Sequence, residues 1–107
     1  MKLLLAIVSN EDSSSVISSL NKKKFQTTKL ATTGGFLSKG NTTIILGVED
    51  NKVEEAISII GDCSKSRQEI IPNTQGFESA EIMTAPISVK VGGATIFVLN
   101  VDQFKKL

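Results

Sequence analysis

The chain has 107 residues, 40% of them hydrophobic, with 12 basic against 11 acidic side chains and a net charge of +1. That is one domain with enough apolar material for a core, and the balanced charge excludes the basic face that a nucleic-acid polymer needs. There is no histidine and a single cysteine, Cys63, which removes the usual general base, the histidine triads, any disulfide framework and multi-thiolate metal sites.

Residues 2–8 (KLLLAIV) form a continuous apolar run closed by Ser9-Asn10, which reads as a strand buried on both faces. The run is too short for a signal peptide or a membrane span, so the expected location is the cytoplasm. After it, Val16, Ile17 and Leu20 fall at helical spacing, with Asn10 or Asp12 as cap and Lys22-Lys23-Lys24 as a solvated helix end. Residues 25–32 read as the second strand and 41–49 as the third, apolar on both faces at Ile44-Ile45-Leu46. Gly47 interrupts the third strand and marks a bulge or a close approach to the backbone. Asn51-Lys52-Val53-Glu54 matches a capping box, and Val53, Ala56, Ile57 and Ile60 make one helical stripe.

Residues 64–86 hold both prolines and Gly76 and show little periodicity, so they read as a long loop, with or without a short hairpin in it. Residues 87–91 alternate, Gly92-Gly93 bends or bulges the excursion, and residues 94–99 resume it as a strand. Phe104 is expected to pack the tail onto the body. The order strand, helix, strand, strand, helix, strand is that of an α+β, ferredoxin-like βαββαβ subunit with both helices on one face of an antiparallel sheet. One domain, 1–107, then carries a short loop near 33–41 and a long one near 64–86.

Two helices cover only one face of such a sheet, whereas the first, third and last strands are apolar on both. A bare face of Leu, Ile and Val is rare on a monomer, so a homo-oligomer with sheet faces turned inward is expected, with clefts between subunits. The stretch 27–43 is suited to line one. Gly34-Gly35 can turn successive N–H groups toward an anion, and Phe36 offers an aromatic face to a flat base. Thr28, Thr32, Thr33, Asn41 and Thr42 add uncharged hydrogen-bonding groups. The alternative is a plain hairpin loop whose Phe36 folds onto the core. Asp12, Glu49 and Asp50 sit at helix starts, where capping accounts for them, and no catalysis is expected of them.

The blocks Thr28-Lys29-Leu30-Ala31-Thr32-Thr33-Gly34-Gly35-Phe36-Leu37, Gly40-Asn41-Thr42-Thr43, Gly47-Val48, Val91-Gly92-Gly93-Ala94-Thr95-Ile96-Phe97-Val98 and Val101-Asp102-Gln103-Phe104 resemble the PII-like cyclic di-AMP receptor proteins of Gram-positive bacteria, in order and over the whole chain. The resemblance implies a cytosolic homotrimer with one cyclic di-AMP in each of three inter-subunit clefts. It implies no catalysis, no cofactor beyond that ligand, no membrane and no nucleic-acid polymer, and a signal passed by loop ordering to an unidentified downstream protein. It puts Thr28, Gly35, Phe36, Leu37, Asn41 and Gly47 at the ligand, with Phe97 against a base. Phe36 and Leu37 would flank an adenine, N–H groups around Gly35 and Leu37 would meet a phosphate, and Gly47 would leave room at the adenine edge. Lys29 and Lys39 are candidates for the charge that two phosphates call for.

Three departures stand out. Gln26 replaces a frequent Arg, Lys106 replaces a frequent terminal Gln, and Gly76-Phe77 stands in the long loop where a double glycine is usual. The alternative of the same fold is a PII-like trimeric adaptor that binds another adenine nucleotide, or none.

Overall fold

The computed structural model describes residues 1–32, 40–71 and 87–107. Its elements are β1 (Lys2–Ser9), α1 (Asn10–Lys22), β2 (Thr28–Thr32), β3 (Asn41–Val48), a 3-10 turn (Asp50–Lys52), α2 (Val53–Cys63), β4 (Arg67–Ile71), β5 (Ile87–Val91) and β6 (Ala94–Asn100). Four strands form one antiparallel sheet in the order β2-β3-β1-β6, while β4 and β5 pair with each other in a separate two-stranded sheet. The first and third strands of the chain are thus central, flanked by the second and the last, which is the ferredoxin-like arrangement.

Strand alternation sorts the side chains into two layers. Leu4, Ala6 and Val8 of β1 and Thr42, Ile44, Leu46 and Val48 of β3 are buried on the helix side. There they meet Val16 and Leu20 of α1 and Val53, Ala56 and Ile60 of α2 in one cluster. The stripes read from the sequence are the stripes that bury.

The element boundaries differ from the sequence reading in instructive places. The second strand begins at Thr28 rather than Phe25, because residues 23–25 are spent on ending α1. Lys24 takes φ +68°, its N–H donates to the Asn21 carbonyl at 2.9 Å, and the Phe25 N–H donates to the Leu20 carbonyl at 3.0 Å. That double return bond is a Schellman ending, and Phe25 packs on the core beside it. A lysine there carries the steric cost of a left-handed residue, so Lys24→Gly is expected to raise the unfolding free energy by about 1 kcal/mol. Urea titration of the two proteins checks it.

The capping box is not formed. A 3-10 turn stands in front of α2, the Lys52 N–H donates to the Glu49 carbonyl at 2.8 Å, and no side chain caps either start. At α1 the cap position is Ser9, again without a side-chain cap bond; Asn10 and Asp12 lie inside the first turn. Gly47 sits in unbroken register opposite Leu3, and the bulge lies instead in β2, between Lys29 and Ala31. A Cβ at Gly47 would meet only the Met1 sulfur at 3.9 Å, so nothing within the described residues of one subunit demands glycine there. The region read as a long loop opens with β4. Gly92-Gly93, with φ of +83° and +90°, forms the corner at which the chain leaves the small sheet for the large one. Phe104 does not pack the tail down: it is 63% exposed.

Candidate functional site

Residues directly opposite in an antiparallel ladder project from the same face. Thr28 stands opposite Ile45, Ile45 opposite Leu5, and Leu5 opposite Phe97, so one rung crosses all four strands. Its neighbours are the rung Gly47–Leu3–Leu99 on one side and Thr43–Ile7–Thr95 on the other. Asn41 opposite Ser9 closes the series. All of these belong to the face away from the helices, where Phe97 is 53% and Leu99 43% exposed. Four candidate residues from three strands, Thr28, Asn41, Gly47 and Phe97, therefore share one apolar, uncovered face.

They do not share one spot on it. Asn41 and Gly47 are six residues apart on β3, about 20 Å at strand spacing. At the Gly47 end a concavity of about 460 Å³ is lined by Gln26, Gly47, Glu49, Phe25, Phe104 and the lysines Lys23, Lys24 and Lys52, among others. Gln26 has no charge of its own, yet it shares this concavity with three lysines. At the Asn41 end a second concavity, about 340 Å³, has Ile7, Asn41 and Thr95 on its sheet side and Ser66, Lys90, Gly92 and Gly93 on its hairpin side.

Lys29 falls elsewhere. It is opposite Ile44, hence on the helix side, and lines an outer groove with Ser14, Ile17, Ser18, Asn21 and Lys22 of α1. Lys106 is exposed in the tail after β6. Gly35, Phe36, Leu37 and Lys39 lie outside the described residues. Gly40, where the chain returns to β3, is buried, and its carbonyl accepts the Asn10 N–H at 3.0 Å.

A family model described as "Cyclic-di-AMP receptor" matches residues 1–107, the whole chain. The chain belongs to the cyclic-di-AMP receptor family. Among solved structures it is similar to the crystal structure of a functionally unknown protein from Pediococcus pentosaceus ATCC 25745. The two are 40% identical over 99% of this chain and 96% of that one, with a TM-score of 0.77. Membership of a receptor family supports a role in binding cyclic di-AMP. Among the described residues no helix is long and apolar enough to cross a membrane.

Two of the three acids weighed for catalysis, Asp12 and Asp50, are held in ion pairs. Asp12, 6% exposed, holds Arg67 in an ion pair, and its guanidinium's pKa is pushed up by the hydrogen bond to that carboxylate. Asp50 faces the Met1 ammonium at 2.8 Å, whose hydrogen bond and charge hold its carboxyl below the ordinary range. Sequence reasoning missed Ser66, Arg67 and Lys90 because β4 opens on the polar run Arg67-Gln68-Glu69, which prints no hydrophobic period. The double glycine was the only sign that the chain turned a corner beside the site.

Proposed function

We propose that the protein is a cyclic di-AMP sensor: a homotrimer with open sheet faces turned inward, which binds one ligand in each inter-subunit cleft and passes the signal by loop ordering to a protein partner. The observation that carries this is the division of Thr28, Asn41, Gly47 and Phe97 over one uncovered face whose two ends lie about 20 Å apart. Neighbouring subunits packed on that face supply both ends to one cleft, and the exposed Phe97 and Leu99 are covered in the act. Two phosphates need cations, and Lys23, Lys24 and Lys52 around Gln26, with Lys90 near Asn41, stand at the two ends.

Isothermal titration of cyclic di-AMP into the protein, with ATP and cyclic di-GMP as controls and a mass measurement in solution, tests the reading. One ligand per subunit on a trimer, with little response to the controls, is the expected result. A trimer indifferent to all three would move the function to an adaptor acting by protein contact alone, with the loss of charge at Gln26 as its reason. Phe97→Ala is expected to weaken cyclic di-AMP binding on the order of tenfold or more, the worth of one base stacked on an aromatic ring.

A further inference from the structure

The first turn of α1 is attached to two distant parts of the chain. On one side Asn10 gives its N–H to the Gly40 carbonyl at 3.0 Å, and its Oδ1 accepts the Thr42 hydroxyl at 2.6 Å. These bonds hold the point at which residues 33–39 lead into β3. On the other side Asp12 takes Arg67, with Nη2 donating to Oδ1 at 2.9 Å and Nη1 directed at Oδ2 at 3.4 Å. The Ser9 hydroxyl donates to the same Oδ2 at 2.9 Å.

Arg67 opens the β4–β5 hairpin and donates from Nη1 to the Lys65 carbonyl at 3.0 Å. Gly92 closes the hairpin against it: a Cβ there would lie 2.5 Å from Arg67 Nη1 and 2.6 Å from the Lys65 oxygen. Beside it the Gly93 N–H donates to the Ser64 carbonyl. The hairpin side of the Asn41 concavity is thus seated on a carboxylate that lies two residues from the one amide holding Gly40.

Such a seat does more than add stability. A surface ion pair is worth little, but a nearly buried carboxylate left without its partner is expensive, so the hairpin root has one strongly preferred position. The first turn of a helix moves as a body, because its carbonyls accept the amides of the turn that follows. We propose that Asp12 and Arg67 are positioning residues for the nucleotide site, coupling the root of the β4–β5 hairpin to the turn that holds Gly40 and Thr42. The nucleotide part of this rests on the sensor reading above; the coupling itself does not.

Residue-resolved amide hydrogen exchange on the full-length protein tests it, first without nucleotide. Arg67→Gln is expected to speed exchange of the Asn10 amide on the order of tenfold, the size of one charge-assisted hydrogen bond. Thr42→Val is expected to speed exchange of the Gly93 amide by a similar factor, since coupling between two sites is reciprocal. The Lys52 amide, at the far end of the sheet, should not change in either variant. An unmoved Asn10 amide, a one-way effect, or equal acceleration at Lys52 would each overturn the proposal, the last because it reports only global loosening. With saturating cyclic di-AMP, exchange of Gly93 should slow in the parent protein and fail to slow in Asp12→Asn; slowing in both would overturn the coupling of ligand to hairpin. A parent protein that does not bind cyclic di-AMP would sink the sensor reading and leave the first two arms to decide the coupling.

Discussion

Gly92→Ala is expected to lower the unfolding free energy by more than the ~1–2 kcal/mol of left-handed strain, because the charged hydrogen bond of Arg67 is disturbed as well. The residue has φ +83°, and the added Cβ would fall 2.5 Å from Arg67 Nη1 and 2.6 Å from the Lys65 carbonyl oxygen. The guanidinium can swing aside only by giving up Asp12, which is nearly buried, and the carbonyl is backbone. Gly93→Ala is the internal control. Its φ is +90°, but its Cβ would meet nothing nearer than the Ser66 Cβ at 3.8 Å, so it should cost only the strain. Urea unfolding of the two variants side by side measures the difference. Equal losses would mean that the corner is not packed against Arg67.

Leu5→Asp is expected to reduce the solution mass to that of a single subunit while the far-ultraviolet circular dichroism keeps its shape. Leu5 lies between Ile45 and Phe97 in the rung that crosses the sheet, at the centre of the face away from the helices. In the proposed trimer a carboxylate there would be desolvated in every copy, a cost of several kcal/mol per subunit. In the separated subunit it would simply be wet. Its neighbour Leu4 is fully buried, and Leu4→Asp should unfold the chain instead, which separates loss of assembly from loss of fold. Since the clefts disappear with the assembly, Leu5→Asp should also abolish cyclic di-AMP binding. An oligomeric parent whose mass the substitution leaves undiminished would show that the subunits meet by another surface; a monomeric parent would sink the proposed trimer itself.

What could be read without coordinates follows from how much each element buries. β1 and β3 lie inside the sheet, and α2 lays Val53, Ala56 and Ile60 on it, so their hydrophobic patterns are unambiguous. β4 left no such pattern. Arg67, Gln68 and Glu69 are polar, and among the described residues the strand pairs only with β5, so its opening residues carry no hydrophobic period. The capping box at residues 51–54 failed because local chemistry compatible with a cap is equally compatible with a 3-10 turn, in which the Lys52 N–H donates to the Glu49 carbonyl.

At the site, motif matching brought together residues that geometry divides. Thr28 and Lys29 are adjacent in a strand, so parity alone sends them to opposite faces; grouping both at one ligand ignored that alternation. The pairing of Asp12 with Arg67, 55 positions apart, had no signal in a single sequence. A lone acid near a helix start looks like a cap until the chain that folds back over it is seen.

The small sheet also bears on how such receptors diversify. Among the described residues, β4 and β5 pair as strands only with one another, and the Gly92-Gly93 corner separates their register from that of β6 against β1. Insertions or deletions made in that arm therefore leave the pairing of the large sheet untouched. Descendants of one ancestral receptor can lengthen or shorten this arm beyond its root without shifting the register of the four strands behind it.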